Sequence, residues 1–234
     1  MTYHFRDGCL DEACDLVLRH HYTRRIPSNI QFVGTLHESG GLFGDFGRAV
    51  AAVFFCIPPT RWSAPVLELS RLVRGHEAAP LTSLIAKSCE ALRQGGHDLL
   101  VSFADRTHGH HGGVYQAASW AYAGCRDRRM DGLIVDGTFI GGRAANHKWG
   151  TQSPSKVADI LGRRVVAHYD EGKHIYWRAL GAKGRKKAAQ LGLQSLPYPK
   201  PQAERMAGGD LDGKIGTMDV EQLRNVVIGL GGEL

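Results

Sequence analysis

The stretch that most constrains this chain is Val101 to Gly124, VSFADRTHGHHGGVYQAASWAYAG. An apolar run from His97 to Ala104 reads as a short buried strand. A turn rich in glycine and histidine follows, Gly109-His110-His111-Gly112-Gly113, and then a helical pattern over Val114–Ala123. A strand end and the free N–H groups of a helix start then face one crevice, a common place to hold a ligand. Asp105 falls at the strand end and Tyr115 in the first helical turn, so both are candidates to point into that crevice. The plain alternative is a capping Asp and a core Tyr.

A chain of 234 residues suits one sizeable domain with an appendage. The expected division is 1–205 for the main domain and 206–234 for a tail. No stretch reaches the roughly 18 apolar residues that a membrane span needs. The N-terminus carries early acids and no long apolar region, unlike a secretory signal. The five cysteines are scattered and form no CxxC pair, which argues for reduced thiols, a cytoplasmic protein and no zinc ribbon.

Charge is unevenly placed. Residues 143–205 hold 13 Lys/Arg against 4 Asp/Glu, a balance of +9, while the whole chain carries +6. The remainder is therefore at −3. A basic part joined to a near-neutral part is the footprint of a polyanion binder, and DNA is the expected partner. Arg24, Arg25, Arg163, Arg164, Lys173, Lys183, Arg185, Lys186 and Lys187 are the candidate phosphate contacts. A solvated basic face with no partner is the competing explanation.

In chain order, Thr2–Arg6 reads as an edge strand and Leu10–His21 as a helix with Asp11 and Glu12 in its first turn. The segment His20-His21-Tyr22-Thr23-Arg24-Arg25 precedes Pro27, which bars regular helix just before it. Ile30–Leu36 and Arg48–Ile57 read as strands joined by a turn at Gly40–Gly44, and Val66–Val73 as a third. In a regular third strand Glu68 and Arg71 fall on opposite faces. Arg71 among apolar neighbours calls for an anionic ligand or an internal carboxylate.

Pro80–Gln94 has an apolar stripe at helical spacing, and Ser83 offers a hydroxyl near its start. Gly132–Ile140 reads as a strand and His147–Leu161 as a helix. Arg163–His168 and His174–Leu180 read as a hairpin turning at Asp170–Gly172. Gly181–Leu191 reads as a short basic helix, and Leu196–Pro201 as extended polyproline II. In the tail, Gly208–Ile215 resembles part of a calcium loop without its first acidic ligand, and Val220–Leu230 suits a packing or homodimerisation helix. The order of elements predicts an α/β fold of acyltransferase type.

Four segments taken together carry a family resemblance: HYTRRIPSN (His21–Asn29), LELSRL (Leu67–Leu72), Val101–Gly124, and GKHIYWRAL…LPYPKP (Gly172–Pro201). The ordered set resembles the Mom-type DNA-modification proteins of bacteriophages, up to about residue 205. That resemblance implies a fold like the GCN5-related N-acetyltransferases (GNAT), with a mixed, mostly antiparallel sheet flanked by helices and here a basic C-terminal extension. It implies replacement of a hydrogen on adenine N6 in DNA by a small carbamoyl-type group, which hides phage DNA from restriction. It further implies acetyl-CoA or a related acyl-CoA as a participant, and a bound iron. Carried onto matching positions, it implies His21, Tyr22, Asp105 and Tyr115 as catalytic residues and as the iron ligands, with Arg71 and Ser83 as cofactor contacts. The chain departs from the acetyltransferase pattern in lacking a clear Gln/Arg-x-x-Gly-x-Gly/Ala pyrophosphate loop.

The exocyclic amine of adenine is a poor nucleophile, so a base must take its proton and a donor must stabilise the oxyanion. Asp105 is the expected base and Tyr115 the expected donor. Adenine must be flipped from the duplex or presented in a single strand. Tyr22, Trp120, Tyr122 and Trp177 are candidate stacking surfaces, with core packing the stronger reading for Trp120 and Tyr122. Two other functions fit the same chain: an N-acetyltransferase acting on a protein or small amine, and a DNA-binding protein without catalysis.

Overall fold

A computed structural model describes residues 2–39, 46–58, 62 and 64–200. The expectations for the Gly40–Gly44 turn, the calcium-like loop and the Val220–Leu230 helix lie outside these residues. The described elements run β1 (Tyr3–Asp7), α1 (Leu10–His20), β2 (Ile30–Ser39), β3 (Phe46–Cys56), β4 (Leu67–Arg74), α2 (Leu81–Gln94) and β5 (Leu99–Asp105). A short 3-10 turn (Arg106–His108) follows, then α3 (Gly113–Ala117), β6 (Ala121–Arg126), β7 (Met130–Val135), β8 (Thr138–Gly141), α4 (Gly142–Trp149) and α5 (Pro154–Leu161). The last elements are β9 (Val165–Tyr169), β10 (Lys173–Ala179) and α6 (Ala182–Gln190).

Seven strands form one sheet in the order β1-β2-β3-β4-β5-β10-β6. Every neighbouring pair is antiparallel except β4–β5, which is parallel. The fold is thus the expected α/β, mostly antiparallel sheet with helices on its faces. The nearly all-apolar β3 is central, with Ala51, Val53 and Phe55 packing on the α2 side and Ala52, Phe54 and Cys56 on the α1 side. The expected α2 stripe is real: Leu84, Ile85, Ser88, Cys89 and Leu92 are all buried. Burying each large aliphatic of that stripe contributes about 1.5–3 kcal/mol. On the other face α1 covers β2–β4 through Ala13, Leu16 and Val17, and α6 covers β5 and β10 through Ala188.

Four expectations are corrected. The helix expected over Val114–Ala123 ends at Ala117, because Ser119 turns the chain at φ 59° and Ala121 starts edge strand β6. The single strand expected over Gly132–Ile140 is a hairpin, β7–β8. Its turn is Asp136-Gly137, at φ 50° and 75°, the Asp-Gly pair that tight hairpins favour. The helix expected over His147–Leu161 is split by Gly150, in the left-handed region, and by Pro154 at the first position of α5.

Finally, β9 and β10 are not a hairpin: β9 pairs with β7, and β10 lies between β5 and β6. Asp170 makes this switch of sheets by accepting hydrogen bonds from Arg126, from the Arg129 N–H and from the Gly172 N–H. The sheet β8-β7-β9, with α4 and α5, is therefore an insert between β6 and β10. No helix among the described residues is long and apolar enough to cross a membrane.

Candidate active site

The parallel pair β4–β5 holds only from Leu67↔Leu100 to Leu69↔Ser102. Beyond that the two strands part, and the Ser102 hydroxyl closes the fork by donating to the Leu69 carbonyl at 2.9 Å. The gap opens into a cavity of about 850 Å³ lined by both strand ends, the end of α1, the start of α2, the glycine turn and α3.

A bulge shapes the β4 wall. Phe54 pairs with Arg71 and Phe55 with Leu69, so Ser70 is an extra residue. It reverses the alternation, and Glu68 and Arg71 fall on the same face, contrary to the expectation for a regular strand. Both line the cavity. Arg71 is half-buried and forms no ion pair with a carboxylate among the described residues. It donates to the Arg25 carbonyl at 3.2 Å and the Ser70 carbonyl at 2.7 Å, tying the segment after α1 to β4. Burial lowers its pKa from 12.5, the direction of a cation short of anions.

Glu68 was not among the expected site residues. Its carboxyl is also without an ion pair, and burial raises its pKa above the usual 4.5 although Arg143, Arg71 and Lys173 pull the other way. Asp105, one strand over, is treated differently. Its Oδ2 lies 2.9 Å from Lys173 Nζ, and its Oδ1 accepts from the Thr107 N–H at 3.0 Å. Burial alone would raise its pKa, but the hydrogen bonds and charge from Lys173, with Thr107, outweigh that and hold it below 3.8. Lys173 sits opposite Asp105 in the β10–β5 register, so it belongs to the cavity and not to an outer phosphate-binding face.

His21 and Tyr22 leave the end of α1, and both line the cavity. The His21 Nδ1 accepts from the Thr23 N–H at 3.2 Å, which leaves the proton of the neutral ring on Nε2. Burial first, then Arg71, His110 and His108, push its pKa down to about 4, so the ring is neutral at physiological pH. Tyr22 stacks on His21 at 4.4 Å and meets His108 and His110 at 4.4 and 5.4 Å. The residue is nevertheless 51% exposed.

The other aromatics take different roles. Trp120 and Tyr122 are core residues, and Trp177 is held by its Nε1 donating to Gln194. Tyr115 is buried against Trp120 and Tyr176, and burial pushes its hydroxyl up to about 12, keeping it a proton donor. Tyr176 is a further residue the sequence did not reveal. Its hydroxyl donates to the His111 carbonyl at 2.6 Å and accepts from Gln116 at 3.0 Å. Gly112, at φ 80°, lies flat on the Tyr176 ring, where any side chain would collide.

The donor set does not fit iron as it stands. The Lys173 ammonium already occupies the cation position at Asp105, and the Tyr115 ring is packed into the core against Trp120 and Tyr176. Anion binding fits better, through Arg71 and the first turn of α2, where Leu81 lines the cavity. Ser83 is half-buried in that turn and is not among the lining residues.

Of the expected phosphate contacts, Arg24, Arg25, Arg164, Lys183, Arg185 and Lys186 are exposed. Arg163 is exposed and paired with Asp136 at 2.5 Å. Lys187 is paired with Asp98 at 2.6 Å and half-buried. Arg143, at the start of α4, reaches the cavity from the insert.

Comparison with known proteins then decides the family. The model of the Mom protein family matches residues 3–200. The chain belongs to the Mom protein family. No curated protein matches it. Solved structures similar to this family member include an acetyltransferase assigned to the GNAT family from Desulfovibrio desulfuricans, at 11% identity and TM-score 0.43, covering 77% of this chain and 100% of that one. The ribosomal-protein-S18-alanine N-acetyltransferase from Escherichia coli is similar at 8% identity and TM-score 0.43, over 77% and 95% of the two chains. A Bacillus subtilis acetyltransferase in complex with CoA is similar at 10% identity and TM-score 0.43, over 76% and 99%.

Proposed function

We propose that this Mom-family chain is a DNA-modifying transferase that attaches a small carbamoyl or acyl-type group to N6 of adenine. Family membership supports DNA modification as the activity class. The observation that carries the chemistry is the cavity between β4 and β5. There Glu68 and Arg71, neither in an ion pair among the described residues, and a buried phenol, Tyr115, meet beside Tyr22.

An extrahelical adenine stacks on Tyr22, as single bases do on exposed aromatic rings. Glu68, whose pKa burial raises above the usual 4.5, takes the proton leaving N6, since a raised pKa makes a carboxylate the stronger base. Asp105 is the weaker base, being held ionised by Lys173, and its role is to fix that ammonium in the cavity. Tyr115 donates to negative charge developing on the transferred group. Neutral His21 donates through its Nε2–H, and Arg71 holds an anionic part of the group donor. An acyl-CoA, bound along Arg71 and the α2 start, would supply the activated carbonyl; as the C–N bond forms its C–S bond would break, and the proton taken by Glu68 would pass to the departing thiolate, which leaves as CoA. The exposed basic residues, Arg24, Arg25 and Arg164 with Lys183, Arg185 and Lys186 of α6, hold backbone phosphate and give no sequence selectivity.

Nucleoside mass spectrometry on DNA from cells expressing the chain tests this reading. A shifted deoxyadenosine, lost with Tyr115→Phe, is expected; unmodified deoxyadenosine together with acetylated peptide would mark a protein acetyltransferase instead. Replacing Lys183, Arg185 and Lys186 by Ala should weaken DNA binding and reduce the salt slope by about 3, near one per lost phosphate contact. An unchanged slope would move the DNA contact away from α6.

A further inference from the structure

The insert between β6 and β10 has a core of its own. Leu133, Val135, Ala145 and Val157 are buried together, with Ile140, Trp149 and Val165 packed against them, so α4 and α5 cover one face of the sheet β8-β7-β9. Alternation along each strand turns the next residues to the opposite face. There the register sets Phe139 of β8, Ile134 of β7 and Val166 of β9 side by side. Phe139 and Val166 are 41% and 37% exposed. Arg164 continues the same alternation just before β9 and is exposed.

The Phe139 ring is held in place. It lies so close to Gly132 that a Cβ there would come within 2.5 Å of it, so only glycine fits at that position. It also meets the His168 ring edge-on at 4.8 Å, and Asp131 fixes that imidazole by a contact of 2.6 Å to its Nδ1. A ring fixed in this way costs side-chain entropy without full burial in return, the arrangement of a surface prepared for a partner.

Continuity and charge select nucleic acid as that partner. The strand carrying Phe139 runs directly into α4, whose Arg143 lines the cavity. Four residues of chain span at most about 14 Å, or about four steps of a stacked strand at about 3.4 Å each. The acids of the small sheet are engaged, Asp131 with His168 and Asp136 with Arg163. Exposed arginines stand at both of its ends, Arg129 before β7 and Arg164 before β9. A fixed aromatic ring with guanidinium groups on the same sheet takes bases on the ring and phosphates on the charges.

We propose that the open face of β8-β7-β9 is a DNA-docking surface for the nucleotides within about four positions of the adenine held in the cavity. One base packs on Phe139, its neighbours cover Ile134 and Val166, and Arg143 and Arg164 hold phosphates at the two ends of the run. The inference rests on DNA being the substrate. It gives the insert a task that the charge contacts of α6 do not perform: holding the strand next to the target by stacking as well as by charge.

The test measures binding of the full chain to a fluorescein-labelled single-stranded oligonucleotide with one central adenine, and to its duplex, over a range of salt. Phe139→Ala should weaken binding about tenfold or more without changing the salt slope, since stacking releases no counterions, and Phe139→Trp should restore it. Val166→Lys should tighten binding and steepen the slope by about one, a gain that a damaged fold cannot produce. Binding by Phe139→Ala and Val166→Lys equal to that of wild type would overturn the proposal and leave DNA modification standing. A dimer of the chain that Phe139→Ala dissociates, with DNA binding unchanged, would assign the face to a second copy instead. No DNA binding by wild type would sink the inference together with the reading it rests on.

Discussion

Glu68 and Asp105 stand on adjacent parallel strands and face one cavity, yet their surroundings differ in kind. Asp105 is met by a lysine from the next strand and a backbone N–H from its own turn. Glu68 is desolvated and has no ion-pair partner among the described residues, and the bulge at Ser70 puts it on the same face as Arg71. Their pKa values move apart, one down and one up. Such divergence assigns acid–base roles: the ionised, paired carboxylate organises charge and the raised one moves protons.

The comparison breaks first at Glu68. Glu68→Gln keeps the volume and removes the base, and should lower adenine modification about 10²–10⁴-fold. The rate should also fall as pH drops through the raised Glu68 pKa, since only the ionised form accepts a proton. Asp105 titrates below 3.8 and contributes nothing in that window. A limb that persists in Glu68→Gln would assign it to another group.

Asp105→Asn should cost less, about 10-fold, by leaving Lys173 half-buried and unpaired. Because the damage is the orphaned ammonium, adding Lys173→Met should recover part of the activity. If Asp105 were the base, the double variant would recover nothing.

His21 sharpens the contrast through stability. Its folded pKa of about 4 lies below the unfolded value of 6.5, so the unfolded chain binds the proton first as pH falls. The stability from keeping this ring neutral is whole above pH 6.5 and is lost between 6.5 and about 4. Its full size is on the order of 3 kcal/mol. Denaturant midpoints measured across that range should show a shallower acid limb in His21→Gln.

The smallest effect concerns the turn that supports the site. Gly112→Ala forces a methyl against the Tyr176 ring at positive φ and should cost about 1–3 kcal/mol, read as a lower melting temperature.

Much of this site was legible in the sequence, because it rests on local signals. The apolar run ending at Asp105, the α2 stripe and an arginine stranded in β4 all read correctly. What escaped depends on long-range pairing. The Ser70 bulge has no signature in LELSRL, so Glu68 and Arg71 could not be placed together from alternation alone. Lys173 was grouped with the phosphate contacts on its charge; only the switch of sheets at Asp170 sets it opposite Asp105. Tyr176 sits in an ordinary strand pattern and gains its role only where Gly112 packs on it. The Asp136-Gly137 turn, by contrast, carried its signal openly and divides a stretch read as one strand.

The most direct measurement is the nucleoside mass spectrum of DNA from cells expressing wild type, Glu68→Gln or Asp105→Asn at equal protein level. A shifted deoxyadenosine that is strong in wild type, reduced in Asp105→Asn and absent in Glu68→Gln is the predicted result. An undiminished peak in Glu68→Gln would contradict the assignment of this carboxylate as the proton acceptor.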